Sequence, residues 1–263
     1  MTSIKTFFNV LKNDIYRAIF SAGFPIGIIA TLAIFFFGSV GMINNTTPAV
    51  TAFVHTYGYN NIINLLFLTA TFAYSTSFSV EWQSVFFRSV VIRSKPVIYA
   101  LSKCIATAIS SGLTVSIGAV LFIVYTCITQ PAIIPDAITI DVEFSTFKDL
   151  LTDGHPLLFF LSYIYIIFLQ AMFFGVLGLL TSGYFPNKYV AYVSPFTLGF
   201  AMTQIANTLD LPIWLNPVKL ALGRVYNTST YEVLLVETVV FLLLTAVCSN
   251  LFVYIVKKRI ANE

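Results

Sequence analysis

The sequence predicts an all-α, polytopic integral membrane protein with six transmembrane helices, an N-terminal amphipathic interfacial helix and both termini in the cytoplasm. Three observations predict it. Of 263 residues, 58% are hydrophobic and 10% charged, with a mean hydropathy of +0.88, which is more apolar surface than one soluble core can hide. Apolar runs of about 20 residues recur, the length that a ~30 Å hydrocarbon core requires at 1.5 Å per helical residue. Lysine and arginine also concentrate on alternate connecting segments, the pattern that sets orientation.

In residues 1–20 the apolar side chains Ile4, Phe7, Phe8, Leu11, Ile15 and Ile19 recur three and four apart, with Lys5, Lys12, Asn13 and Arg17 elsewhere around the helix. That describes a helix lying in the interface, held by its apolar face and by attraction to anionic lipid. As part of an overlong first span, its three basic residues would enter hydrocarbon at about 2.5–3.5 kcal/mol each. The first apolar run begins only near Phe24 with no small-x-small site after it, so no cleavable signal peptide is expected.

Six segments reach spanning length: 22–42, 61–80, 104–128, 157–181, 189–208 and 233–256. The fifth carries Ser194, Pro195, Gly199, Thr203, Gln204 and Asn207 and follows the fourth after only SGYFPNK, so a re-entrant pair is the alternative there. With the N-terminus inside, the inner segments hold eleven basic residues (Lys5, Lys12, Arg17, Arg88, Arg93, Lys95, Lys103, Lys188, Lys257, Lys258, Arg259). The outer segments hold three, Lys148, Lys219 and Arg224. Asp136, Asp141, Glu143, Asp149 and Asp153 fall in the outer loop after the third span and read as a solvated face.

Between the second and third spans, EWQSVFFRSVVIRSKPVIYALSK places Glu81, Arg88 and Lys95 seven apart on one helical face, with Trp82, Val85, Phe86 and Val90 on another. This is an amphipathic inner helix of two to three turns, stopped by Pro96. Outside, NNTTPAVTAFVHTYGYN reads as a polar and aromatic loop. In the second outer segment Val142, Phe144, Phe147, Leu150 and Leu151 line one side of a short helix capped by Ser145. LDLPIWLNPVKLALGRVYNTSTYE is too interrupted by Pro212 and Pro217 to span; it sets Trp214 at interface depth and starts a short helix after Pro217. Sequons stand at Asn45 and Asn227.

The chemistry is not that of an enzyme. There is no GxxxxGK[ST] loop, no G-x-S-x-G elbow and no H-E-x-x-H, and the two histidines, His55 and His155, both fall in outer segments. Cys104, Cys127 and Cys248 sit in or beside apolar runs and read as packing residues, and a net charge of +3 does not point to nucleic acid. Polar residues inside spans are the better guide, since in hydrocarbon they must find partners or water. Thr69, Tyr74, Ser75 and Ser77 in the second span, with Thr203, Gln204 and Asn207 in the fifth, are the candidates for lining a pathway. Glu237, one turn below the outer surface, is the one acid within a span, while Gln170, Gly175 and Gly178 mark close helix packing in the fourth.

This layout resembles the permease subunits of type 2 ATP-binding cassette (ABC) exporters. The closest match is the inner hairpin, opened by Glu81 and followed by SKPVIYALSK, with Pro96, Tyr99 and Lys103 leading into the third span. The resemblance implies one permease domain over 1–263, in which 1–20 is the connecting helix, 81–95 the coupling helix and 210–230 an outer gate. It implies that Glu81, Trp82, Phe86, Phe87, Arg88 and Arg93 dock a separate ABC ATPase subunit that binds ATP and Mg, and that Leu211, Pro212 and Trp214 form the gate. It further implies a second permease chain, with the second and fifth spans facing their counterparts. The absence of a fused nucleotide domain points to a compact bacterial system in the plasma membrane. An amphipathic cargo fits, a peptide ahead of a lipid-like molecule or drug. The alternatives are an ion- or proton-coupled carrier using Glu237, and a non-transporting membrane anchor or immunity protein.

Overall fold

The computed structural model describes residues 2–41, 43–44, 46–58, 62–134, 146–212, 215–223 and 229–262, with the side chains of all of these except Thr2, Ser3 and Arg93. The described residues fold entirely as helices and turns. In order these are α1 (Thr2–Ile19), α2 (Gly23–Ser39), α3 (Ala49–Gly58), α4 (Ile62–Thr69), α5 (Ser77–Gln83), α6 (Phe86–Arg93), α7 (Pro96–Thr129), α8 (Lys148–Thr152), α9 (Pro156–Tyr184), α10 (Lys188–Thr208), α11 (Pro217–Ala221) and α12 (Thr230–Ala261).

Among the described residues three helices are long and apolar enough to cross a membrane: α7 with 34 residues, α9 with 29 and α12 with 32. Helices α1 and α2 pass the same test only as a pair, bent by 49° at their junction. The segment expected as the second span is not one helix. α4 has eight residues, about 12 Å of rise, and turns occupy 70–76 before α5 begins. α10 runs 21 residues through Pro195, whose missing N–H breaks one rung of the ladder.

Proline sets several of the starts. Pro96, Pro156 and Pro217 each stand at the head of a helix, where a missing N–H costs nothing. Asn187 accepts from the Tyr189 amide at 2.9 Å, and Asn216 accepts from Val218 and Lys219 at 3.1 and 3.2 Å, so both asparagines cap their helices. α12 carries Glu232 in its first turn and Lys258 and Arg259 in its last, the charge order that a helix dipole favours.

α7 and α9 form the central pair. α1 and α2 lie on α7, α10 and α12 lie on α9, and α4 is wedged between α2 and α10. The core has two parts. At one end Phe35, Phe53, Tyr57, Phe122 and Tyr163 stack and abut, with ring centroids 5.1–6.4 Å apart. At the other, Phe78, Phe87, Tyr99, Val176 and Phe252 are buried together. Cys104 and Cys248 lie in this second part and Cys127 is half-buried; all three are free thiols. Close packing around Gly175 and Gly178 is present as expected: a Cβ on Gly175 would run into the Ser111 side chain.

Other expectations change. The first outer segment is not a loop: α3 buries eight of its ten residues in the aromatic cluster. The Tyr57 hydroxyl donates to the Ala221 carbonyl at 2.9 Å and to Gln170 Oε1 at 3.3 Å. Burial, with Tyr163 and Glu237 nearby, raises its pKa well above the usual tyrosine value. α8 begins at Lys148 after a buried Phe147; Ser145, expected as its cap, lies outside the described residues with Val142 and Phe144. Asn45, Asn227, Arg224, Asp136, Asp141 and Glu143 lie outside them too.

Candidate functional site

A polar network among the described residues joins α1, the turn after α4, the α5–α6 hairpin and α7. Asp14 and Arg17 stand three apart on one side of α1, and Tyr99 and Lys103 stand four apart on α7, so each pair projects together. The Lys103 ammonium, fully buried, lies 2.9 Å from Glu81 Oε1 and 3.4 Å from Asp14 Oδ1. The rings of Tyr74 and Tyr99 flank it, both centroids 5.1 Å from Nζ. Tyr74 donates to Asp14 Oδ1 at 2.9 Å, Tyr99 to Glu81 Oε2 at 2.7 Å, and Ser102 to Asp14 Oδ2. Arg17 closes the set with a bond of 2.9 Å to Glu81 Oε1 while its guanidinium lies 4.9 Å from the centre of the Phe86 ring.

Two acids and two bases make the site neutral. Each carboxylate oxygen accepts at least one hydrogen bond. That arrangement compensates desolvation of the charges, which would otherwise cost several kcal/mol per ion. It fixes the start of the hairpin against α1 and α7. Above it, a cleft of about 690 Å³ opens between α1 and α6, with Arg17, Glu81, Asp14 and Tyr99 among its lining residues.

Several sequence expectations need correction at this point. The inner helix is two helices, α5 and α6, broken at Ser84–Val85, where Val85 adopts φ 59°. The Glu81 side chain is buried in the ion network. Phe87 is also buried, stacked on Trp82 at 4.4 Å between centroids, and Trp82 is half-buried under Arg259. Phe86 and Arg88 are exposed. The Arg93 side chain is outside the description. Lys103, counted as a loop charge, lies about two turns inside α7.

The pathway candidates divide in the same way. Thr69 is buried, accepting from Thr31 at 3.0 Å and donating to the Leu66 carbonyl; Ser75 is buried and donates to the Gly175 carbonyl at 2.8 Å. Together with Tyr74 they are committed to packing within one chain and line no surface, because close helices consume their hydroxyls. Thr203 is buried and donates to the Gly199 carbonyl, and Ser77 is half-buried. Gln204 and Asn207 are exposed on α10, Asn207 accepting from Asn216 at 2.8 Å. Leu211 is half-buried and Pro212 exposed, whereas Trp214 lies outside the described residues. Glu237 is within α12 and fully buried, with no hydrogen-bond partner for either oxygen among the described residues.

Sequence reasoning missed Asp14. The available signal was its isolation, as the one acidic residue in the first 80 and one of two among seven bases in the first 103. No family model matches the chain, and neither a curated protein nor a solved structure matches it.

Proposed function

We propose that this chain is the membrane-spanning subunit of an ATP-driven exporter, paired with a second permease chain in the plasma membrane and worked by a separate ABC ATPase. In this reading both termini are cytoplasmic and the bundle makes six crossings, α4 and α5 together forming a broken one. The single observation that carries the reading is the buried ion network. It clamps the base of the hairpin to α1 and α7 while the tip, from Gln83 to Phe86, stays exposed, so a push on the tip is delivered to the long helices and not lost in a loose loop. An amphipathic cargo, a peptide first, fits the exposed mixture of amide and apolar side chains on α10.

The docking assignment is tested at Arg88, exposed on α6. Arg88→Glu is expected to reduce ATP-driven transport by at least about tenfold, the equivalent of ~1.4 kcal/mol of lost partner contact. Membrane insertion and the melting temperature should be unchanged. Pull-down of a stoichiometric ATPase by the wild type but not the variant is the accompanying readout, and an active chain with no ATPase partner ends the proposal.

A second reading, an ion- or proton-coupled carrier, is favoured by Glu237, buried and without a hydrogen-bond partner among the described residues. If it holds, Glu237→Gln abolishes the pH dependence of transport in proteoliposomes. Under the export reading the variant keeps both ATP-driven transport and its pH profile.

A further inference from the structure

We propose that Glu237 on α12 and Gln170 on α9 form a buried proton-binding pair, with Glu237 carried as the neutral carboxylic acid and hydrogen-bonded to the Gln170 amide. The inference rests on neither reading of transport.

Contacts between α9 and α12 fix their register. Ile166 and Val233 meet at Gly223, Phe173 and Phe241 have ring centroids 6.3 Å apart, and Phe252 lies against Gly183. Gln170 stands one turn beyond Ile166 and Glu237 one turn beyond Val233, so the two share a level. Val233, Glu237 and Phe241 follow one another at intervals of four and are all buried, which puts Glu237 on the face of α12 that meets α9. Gln170 is buried as well.

Among the described residues neither Glu237 oxygen has a hydrogen-bond partner, and neither does Gln170 Nε2. A carboxylate left so in an apolar interior gives up its hydration for nothing, and such a group takes up a proton instead. Asp14 and Glu81, also buried, differ in being answered by Lys103 and Arg17. The elements packed around Glu237 bring Tyr57 on α3, whose hydroxyl donates to the Ala221 carbonyl, and Tyr163 on α9. Lys219 on α11 makes no ion pair with it among the described residues. Lys103, the one charged residue of α7, is held in the ion network, and Glu232 on α12 itself is exposed.

The Gln170 amide matches the acid better than the carboxylate. Its Nε2 is a donor to spare, and its Oε1, which accepts from Tyr57 at 3.3 Å, has a second lone pair. A carboxylic acid offers one acceptor and one donor and engages both ends of the amide, whereas a carboxylate engages only Nε2. The two side chains are not bonded in the structure, and the pairing closes that gap by rotation about the Glu237 side-chain bonds.

The test is infrared spectroscopy of the full chain, purified in a neutral detergent at neutral pH, with an isotope label on the side-chain carboxyl carbons of glutamate. The wild type is expected to show a protonated-carboxyl band that shifts with the label, lies at the frequency of a hydrogen-bonded acid and is lost in Glu237→Gln. In Gln170→Met the band should remain and move to higher frequency. Absence of a label-sensitive band in the wild type, or its survival in Glu237→Gln, overturns the bound proton. A band at the free-acid frequency in the wild type, or one unmoved in Gln170→Met, overturns the pairing. The labelled wild type decides both points even where a variant fails to fold. No transport is measured, so failure here is distinct from failure of either functional reading.

Discussion

Replacing Lys103 with methionine is expected to destabilise the protein by about 3–5 kcal/mol, the usual cost of removing one partner from a buried ion pair. Methionine approximates the length of the lysine stem, so packing between the Tyr74 and Tyr99 rings is largely kept and the loss is electrostatic. Asp14 would lose a cation 3.4 Å away and Glu81 one at 2.9 Å, and both remain buried with only Arg17, half in solvent, to balance them. The melting temperature in detergent should fall, and proteolysis should open the junction between α1 and the hairpin first. Adding Asp14→Asn and Glu81→Gln to Lys103→Met removes the stranded charges while retaining hydrogen-bonding side chains, so the triple variant should recover most of the loss. A triple variant no more stable than the single one would mean that the charges are not what holds α1 in place.

The second large effect is expected at Gly23, the first residue of α2. A Cβ built there runs into the Phe72 carbonyl oxygen, and backbone cannot rotate away as a side chain can. Gly23→Ala should cost about 3 kcal/mol, the upper end of the overpacking range. It also forces α2 off the 70–76 turn, breaking the bond from the Ser21 hydroxyl to the Ala73 carbonyl at 3.1 Å. Gly58→Ala is the control. Among the described residues its Cβ would meet only the end of Leu222 at 4.0 Å, and the change should stay within about 0.5 kcal/mol. Melting both variants side by side checks the difference; equal losses would show that close approach at Gly23 is not the cause.

The long apolar helices were legible because hydropathy and length are local properties. α7, α9 and α12 stand where runs 104–128, 157–181 and 233–256 put them, and Pro96, Pro156 and Pro217 mark starts that a missing N–H dictates. What was not legible depends on contacts far along the chain. A lysine at the edge of an apolar run reads as a loop charge until Asp14, 89 residues earlier, is brought to it. The hydroxyls of the second segment read as pathway groups because averages over a window do not show a turn at 70–76, nor that Gly175 brings its carbonyl close enough to accept a hydrogen bond from the Ser75 hydroxyl. α3 was hidden for a related reason. Its polar and aromatic composition suggests a loop, yet Phe53 and Tyr57 complete a stack begun by Phe35 and Phe122 on other helices.

Val85 has a consequence for the shape of the hairpin. A β-branched residue at φ 59° sits in a left-handed well that costs roughly 1–2 kcal/mol, so the arm is an elbow bent against its own preference and not a straight shaft. The bend is braced by two contacts, Trp82 stacked on Phe87 and the Arg17 guanidinium over the Phe86 ring. Loosening those pairs would let the forearm swing while the upper arm stays bolted to the bundle.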